Sequence, residues 1–183
     1  MTILHIDSSI TGEQSATRTI TRSILDQLTI ERGGSEVIYR DLVNAPLPHL
    51  TLDAFADSSV LDEFLAADTV VIGAPMYNFT LPTQLKAWLD RILVAGKTFR
   101  YTENGPEGLA GGKRVIVALA RGGFYDAGSP AASLEHLETY LRGVFNFIGI
   151  GPEFVAADGL AIGPEQRESS VRQALGETLR LAA

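Results

Sequence analysis

Residues 75–79, Pro-Met-Tyr-Asn-Phe, place a thioether, two aromatic rings and an amide directly after the apolar run 70–74. Met76 and Phe79 offer polarizable or aromatic surface on which a flat ring can pack. Asn78 offers a donor and an acceptor to heteroatoms at the edge of such a ring. An ordinary turn, with Asn78 stabilising its own backbone, would explain the same residues.

A second stretch, residues 8–18, supplies several hydroxyl groups just before a predicted helix. A phosphate there would gain hydroxyl hydrogen bonds, free amides and the helix dipole together. No Gly-x-Gly-x-x-Gly follows the preceding strand, so a pyrophosphate fingerprint is absent and a mononucleotide is favoured. The alternative is that Ser15 or Thr17 simply caps the helix.

The third stretch is Arg121-Gly122-Gly123, which follows another apolar run. Glycine has no Cβ, so the backbone here can approach a ligand closely. Its amides would suit the N1–O2 side of a flavin, where negative charge develops on reduction. The alternatives are an ordinary turn, and an Arg121 that either adds positive potential or lies on the surface.

Hydrophobic patterns predict the elements that must hold these stretches. Strands are predicted at residues 2–7, 36–41, 69–74, 115–120 and 153–156. Helices are predicted at residues 17–33, 59–67, 81–93, 131–147 and from Pro164 to the end. Residues 42–58 are predicted to be mostly connection, and residues 97–112 to be a long glycine-rich loop.

Strands that alternate with helices, and that are apolar on both faces, predict an α/β fold with a parallel sheet between two helical layers. Five strands in one domain, residues 1–183, favour the flavodoxin-like order 2-1-3-4-5. The ends of the first, third and fourth strands then lie side by side. The three stretches above would meet at that edge.

Composition and charge argue against several classes of function. The chain has 183 residues, 45% hydrophobic and 20% charged, with a net charge of −7, which disfavours nucleic-acid binding. It has no cysteine and no apolar run that would cross a membrane. The N-terminus lacks a secretory pattern, so a cytoplasmic location is expected. Residues 84–121 hold seven basic and three acidic residues, either solvated charge or a positive site for nicotinamide dinucleotides.

Metal and acid–base chemistry find little support in the sequence. His5, His49 and His136 are spread over a strand, a connection and a helix, so each is predicted to be structural. No His-Glu-x-x-His or carboxylate cluster indicates a metal site. No catalytic acid or base is assigned, which leaves a bound cofactor as the reactive centre.

Four motifs at residues 74–79, 84–90, 98–109 and 121–123 resemble the FMN-dependent NADH azoreductase family of flavodoxin-like quinone reductases. The resemblance implies FMN, NADH or NADPH as donor, quinone or azo acceptors, and a homodimer with FMN near its interface. By position, the phosphate would be held by Ser9, Ser15, Ala16 and Thr17. The flavin ring and ribityl chain would be lined by Met76, Tyr77, Asn78 and Phe79. The other edge would be held by Ala120, Arg121, Gly122 and Gly123.

Departures from the family pattern are few. Thr17 stands where a serine is usual and keeps the hydroxyl, whereas Ala120 lacks a hydroxyl that often precedes the Arg-Gly-Gly. The connection at residues 42–58 looks shorter than usual. Phe99, Phe124 and Tyr125 are candidate pocket walls, with core packing as the alternative for Phe99.

The expected function is therefore an FMN-dependent NAD(P)H oxidoreductase that reduces quinones and cleaves aromatic azo compounds by a two-electron, ping-pong cycle. The alternative is a flavodoxin-type electron carrier that acts on a protein partner. A protein of this fold that binds no flavin is a third possibility. Arg100 or Arg121 could favour the 2′-phosphate of NADPH.

Overall fold

The fold is described from a computed structural model, which covers residues 1–32 and 34–181. The strands in this part are β1 (Thr2–Asp7), β2 (Glu36–Asp41), β3 (Thr69–Pro75), β4 (Phe99–Thr102), β5 (Gly105–Gly108), β6 (Arg114–Ala120) and β7 (Glu153–Ala157). The helices are α1 (Ala16–Arg32), α2 (Leu52–Ala56), α3 (Ser59–Ala66), α4 (Thr83–Ile92), α5 (Glu138–Phe147) and α6 (Pro164–Leu181). The helix end predicted at Gly33, and the last two residues of the predicted domain, lie outside the described residues.

Five parallel strands form one sheet in the order β2-β1-β3-β6-β7. All of β3 is buried, and so is β6 after its first residue. Strands of a parallel sheet are covered on both faces, which explains why these two read as continuous apolar runs. The predicted sheet and its order are confirmed, because β6 and β7 are its fourth and fifth strands.

Helices cover both faces of the sheet. On one side α3, α4 and α5 bury Phe64, Trp88 and Phe145, and the rings of Phe64 and Trp88 meet edge-on with centroids 5.9 Å apart. On the other side α1 and α6 bury residues such as Ile20 and Ala174. Each fully buried large apolar side chain contributes roughly 1.5–3 kcal/mol, so these two layers hold the sheet between them. None of the described helices is long and apolar enough to span a membrane.

The prediction of a long loop at residues 97–112 is wrong, because β4 and β5 form an antiparallel hairpin there. Its turn is closed by Gly105, whose φ is +108°, and by the Thr102 hydroxyl, which donates to the Gly105 carbonyl at 2.8 Å. The hairpin lies on the end of α5: a Cβ on Gly108 would be 2.1 Å from the Gly149 nitrogen. The glycines therefore permit a close backbone contact, whereas their number alone indicated a loop.

The prediction of a helix at residues 131–147 is also wrong for the first half of that range. A short 3₁₀ turn occupies Ala132–Leu134, and the α-helix begins only at Glu138. The Glu135 carboxylate accepts hydrogen bonds from the backbone amides of residues 137–139, at 2.7–3.0 Å. A carboxylate that bonds these first amides marks the helix start, so the helix does not continue back through it.

The connection at residues 42–58 contains the short helix α2, which was not predicted. The Thr51 hydroxyl accepts a hydrogen bond from the Ala54 amide at 3.1 Å and so caps its first turn. The helices predicted at residues 59–67 and 81–93 are confirmed as α3 and α4, with boundaries that differ by one or two residues.

A buried ionic cluster joins α1 to the first two strands. The Arg18 guanidinium donates to Asp41 at 2.9 Å, to the Tyr39 hydroxyl at 2.8 Å and to Asp7 at 3.4 Å. It also donates to the Ser9 carbonyl at 3.2 Å. One arginine thus holds the start of α1, the ends of β1 and β2, and the loop that follows β1.

The cluster shifts the pKa of its members. Burial acts against the ionised form of Asp41, but hydrogen bonds from Arg18 and from two backbone amides lower its pKa to about 2. Burial and the neighbouring charge of Asp7 raise the pKa of Tyr39 to about 12. The aspartate is therefore ionised and the tyrosine neutral throughout the range in which the protein would act.

We expect Gly108→Ala to destabilise the protein by roughly 1–3 kcal/mol, because the added methyl group collides with backbone rather than with a side chain. Urea unfolding at pH 7 measures the loss. Gly176→Ala is the matched control, because apart from its chain neighbours and the backbone of its own helix, no atom of the described residues lies within 4 Å of its added Cβ in α6. Its expected effect is a gain of up to about 1 kcal/mol. Equal stability of Gly108→Ala and the wild type would contradict the hairpin contact.

We expect Asp41→Asn to cost on the order of 2 kcal/mol at pH 7, from the lowered pKa of Asp41. At pH values above the ordinary carboxyl pKa of 3.8, the lowered pKa of Asp41 stabilises the fold in full. This stabilisation is lost as the pH falls towards about 2. The difference between the variant and the wild type should thus shrink by about half at pH 3. Urea unfolding at pH 7, 5 and 3 tests this, with the exposed Asp26→Asn as control. A difference that stays constant with pH would refute it.

Candidate functional site

The site is a cavity of about 540 Å³ at the carboxyl edge of the sheet, where β1, β3 and β6 end. All three predicted stretches line it. The predicted residues on its wall are Ser9, Ser15, Ala16, Met76, Tyr77, Ala120, Arg121 and Gly122. Thr17, Asn78, Phe79 and Gly123 lie in the same stretches but off this wall. The cavity also reaches five residues that were not predicted as site residues: Thr11, Gln14, Pro75, Leu160 and Arg167.

The first stretch presents hydroxyls and amides at the start of α1. The Ser15 hydroxyl accepts a hydrogen bond from the Arg18 amide at 3.3 Å, so Ser15 caps the helix as well as lining the cavity. The hydroxyls of Ser15 and Thr17 are 3.0 Å apart and both side chains are buried. In the described part of the chain, the amides of Ala16 and Thr17 donate to no protein acceptor. The helix start therefore keeps two donors for a ligand.

Close packing fixes where this helix starts. A Cβ on Gly73 of β3 would lie 2.7 Å from the Asp7 carboxylate and 3.4 Å from the Thr17 side chain. Glycine at this position lets the end of β1 and the first turn of α1 lie directly against the third strand. The Thr17 hydroxyl is consequently packed on the sheet, and it reaches the cavity through its contact with Ser15.

Tyr77 joins the second stretch to the first. Its hydroxyl accepts a hydrogen bond from the Ile10 amide at 3.1 Å and lies 3.4 Å from the Ser9 hydroxyl. Ser9 is in turn 3.0 Å from the Thr11 hydroxyl. One phenol therefore sets the position of the backbone and hydroxyls that follow β1.

The second stretch ends in a tight turn. Tyr77 and Thr80 exchange backbone hydrogen bonds of 2.9 and 3.2 Å. The two residues between them have φ of +48° at Asn78 and +73° at Phe79. A left-handed conformation costs a residue such as phenylalanine about 1–2 kcal/mol, so tertiary contacts must hold it. The Phe79 carbonyl supplies one, because it accepts from the His136 amide at 3.1 Å.

This turn leaves polar groups free. Among the described residues, the Asn78 side chain and the amides of Asn78 and Phe79 have no hydrogen-bond partner. The predicted alternative, in which Asn78 stabilises its own backbone, is therefore not what the structure shows. The Phe79 ring lies edge-on to Tyr125, with centroids 6.4 Å apart. Donors and an aromatic surface thus stand together beside the cavity.

The third stretch is held through its carbonyls. The carbonyl oxygens of Arg121, Gly122 and Gly123 accept from the amides of residues 159–161 at 3.0–3.1 Å. Within residues 1–32 and 34–181, the amides of Gly122 and Gly123 donate to no protein group. Since the carbonyls are used and the amides are not, this edge offers donors to an electron-rich ligand.

Arg121 does not serve as a free positive charge. Its guanidinium donates to Asp158 at 2.6 and 2.9 Å and to Glu138 at 3.4 Å. Burial acts against the charged form, but the bond to Asp158 and the nearby carboxylates raise the pKa of Arg121 above its ordinary value. Its side chain is only 8% exposed, so the surface interpretation is wrong. It is also engaged too fully to bind a 2′-phosphate.

The positive stretch at residues 84–121 is largely neutralised in the same way. Lys86 pairs with Asp90, Arg100 with Glu107 at 2.8 Å, and Arg114 with Glu153 at 2.6 Å. The prediction of a positive site for dinucleotides therefore finds no support in this stretch. Arg100 lies on the hairpin with its partner, away from the cavity wall.

The remaining candidate residues, which are two aromatic side chains and a histidine, do not line the cavity. Phe99 packs on Phe147 with centroids 4.6 Å apart, so it belongs to the core and not to the cavity wall. Phe124 is 44% exposed beside the third stretch. His5 lies 3.4 Å from Asp7 and stacks at 4.8 Å on Tyr39, a structural position. Of the described residues, no group of three acidic or histidine side chains could hold a metal ion.

Comparison with known proteins agrees with this geometry. Residues 1–181 match the model of a family described as having a flavodoxin-like fold. The FMN-dependent NADH:quinone oxidoreductase 2 of Bradyrhizobium diazoefficiens is 54% identical over 201 aligned positions, with all of both chains covered. The FMN-dependent NADH:quinone oxidoreductase of Methylorubrum extorquens is 52% identical over 202 positions, again with full coverage of both.

A solved structure is similar over its whole length. The crystal structure of an azoreductase from Bacillus anthracis superposes with a TM-score of 0.90 at 29% sequence identity, covering 100% of this chain and 98% of that one. The chain therefore belongs to the flavodoxin-like family, within the group that contains these FMN-dependent NADH:quinone oxidoreductases and azoreductases.

Proposed function

We propose that the chain is an FMN-dependent oxidoreductase that uses NADH or NADPH to reduce quinones and to cleave aromatic azo compounds. One observation carries the proposal: three stretches with unused hydrogen-bond donors surround one cavity at the carboxyl edge of the sheet. Relatives that share half of the sequence are named for the quinone reaction, and the similar Bacillus structure is an azoreductase.

The residues present fit the two ends of FMN. At the phosphate end, Ser9 and Ser15 offer hydroxyls, Thr17 contributes through its contact with the Ser15 hydroxyl, and the amides of Ala16 and Thr17 offer the positive end of α1. Arg18 holds the Ser9 carbonyl and therefore keeps this loop in shape. A preformed set of donors lowers the entropy cost of binding.

At the ring end, the second and third stretches offer a surface on which the flavin ring could pack and hydrogen-bonding groups for its two edges. Met76, Tyr77 and Phe79 supply polarizable and aromatic surface, and Asn78 supplies a free amide group. Ala120, Arg121, Gly122 and Gly123 form the opposite edge, where the two glycine amides would stabilise negative charge. Ala120 offers no hydroxyl, so these amides are the donors at that edge.

Bound there, FMN would supply two-electron redox chemistry between the nicotinamide donor and the acceptor. The protein binds and orients the participants, and no side chain is assigned as an acid or a base. The Phe79 and Phe124 rings lie on or beside the second and third stretches and are each more than two-fifths exposed, so they offer aromatic surface for a planar donor or acceptor.

Assembly and location complete the proposal. We propose a homodimer, as the azoreductase resemblance implies, and a cytoplasmic location, where nicotinamide donors are abundant. Light scattering on the purified protein measures the oligomeric state, and a mass of one chain would refute the dimer.

We expect the purified protein to be yellow, with about one FMN per chain released on denaturation. Mixing with NADH under anaerobic conditions should bleach the flavin fully, and an added quinone should restore its colour. A protein that takes up no FMN would refute the proposal. Bound FMN that NADH scarcely bleaches would favour the electron carrier instead.

We expect Tyr77→Phe to weaken FMN binding about five- to tenfold, because a lost hydrogen bond at a partly buried loop costs about 1 kcal/mol. The phenol holds the Ile10 amide and lies beside Ser9, so its loss loosens the phosphate loop. Fluorescence titration with FMN measures the dissociation constant. Tyr101→Phe, 76% exposed on the hairpin, is the control and should bind as the wild type does. Equal affinities in both variants would contradict the role of Tyr77.

A further inference from the structure

One arginine of the cavity wall comes from the far end of the chain. Arg167 lies in the first turn of α6 and lines the same cavity as Ser9, Ser15 and Ala16. Its guanidinium donates to the Gln14 carbonyl at 2.7 Å, across 153 positions of sequence. Gln14 immediately precedes Ser15, so this side chain reaches the loop that would hold the phosphate.

The other arginines of this region are occupied. Arg18 is held by Asp7, Asp41 and the Ser9 carbonyl, and Arg121 by Asp158 and Glu138. The carboxylate partners of each arginine carry at least as much negative charge as the arginine carries positive charge. Neither can therefore lend a net positive charge to the cavity.

Arg167 differs from both. Among the described side chains it has no carboxylate partner, and its side chain makes one hydrogen bond, to a neutral carbonyl. A guanidinium has five N–H donors in a planar fork, so several remain for a second acceptor. Such a fork matches the spacing of phosphate oxygens.

A phosphate in this cavity would be bound more tightly with such a charge beside it. A phosphate monoester carries about −1.5 to −2 charges at pH 7, and the chain itself has a net charge of −7. The hydroxyls and amides of the first stretch are neutral, and the helix start supplies only about half a positive charge. These groups fix the position of a phosphate but leave most of its charge uncompensated.

We infer that Arg167 is an ion-pair partner of the FMN phosphate and a determinant of FMN affinity that acts through charge. The inference rests on the function proposed above. The guanidinium lies on the carbonyl of the residue before Ser15, and Ser15 and Arg167 line one cavity, so a phosphate bound beside Ser15 would lie near this charge. The same contact would tie α6 to the phosphate loop when FMN is bound.

The test is a charge series at one position. The apo-proteins of the wild type, Arg167→Lys, Arg167→Gln and Arg167→Glu are titrated with FMN and with riboflavin, and flavin fluorescence reports binding. We expect FMN binding to weaken in that order, about five- to tenfold for Arg167→Gln and further for Arg167→Glu. Riboflavin, which lacks the phosphate, should bind all four proteins equally. The differences for FMN should shrink at high salt because an exposed ion pair is screened.

Arg172→Gln is the matched control. Arg172 lies five residues further along α6 and pairs with Glu168 at 2.7 Å, off the wall of this cavity. The Arg172→Gln variant should bind FMN as the wild type does. Thermal unfolding of the apo-proteins should give equal midpoints for the wild type, Arg167→Gln and Arg172→Gln, because both arginines are exposed.

Three results would overturn the inference. One is an FMN affinity that does not follow the charge at position 167, and another is an equal loss for riboflavin and FMN, which indicates a structural role. The third is an unchanged FMN affinity with a raised KM for NADH or NADPH, which would assign Arg167 to the donor. In each case FMN still binds the wild-type protein, whereas failure of the wild type to bind FMN would refute the proposed function itself.

Discussion

Hydrogen bonding between parallel neighbours is the constraint on which the site depends. β3 pairs with β1 on one side and β6 on the other, with Asp7 opposite Gly73 and Pro75 opposite Ala120. Because all three strands run the same way, the segments that follow them must leave from one edge. Gly73 then lets α1 start directly against the sheet, which brings its free amides to the cavity.

Each of the three stretches is fixed by groups other than those it would offer to a ligand. Arg18 and the Tyr77 hydroxyl hold the first, through the Ser9 carbonyl and the Ile10 amide. The His136 amide holds the second, and the amides of residues 159–161 hold the third. The donors that face the cavity therefore stay in place without having partners in the protein, which is what preorganised binding of an electron-rich ring and a phosphate requires.

Charge in this protein is arranged pair by pair. Arg18 and Arg121 are buried among carboxylates, and most basic residues of the stretch 84–121 have acidic partners. Their role is to join elements, since breaking one such pair would leave an uncompensated buried charge. In the proposed site, the groups left to bind an anion are neutral donors, the start of α1 and Arg167, which has no carboxylate partner among the described residues.

The sequence by itself determined the five sheet strands, their order and the three stretches at the sheet edge. These follow from local signals, because apolar runs, helical periods and the residues after each strand are read over a few positions. Only the tertiary structure decided that residues 97–112 form a hairpin, that α5 begins after Glu135, and which side chains pair with Arg121. It also decided that Arg167 reaches the loop that follows β1. These features rest on contacts between residues far apart in the chain, such as Gly108 on Gly149 and Arg167 on Gln14, and no local pattern specifies such pairs.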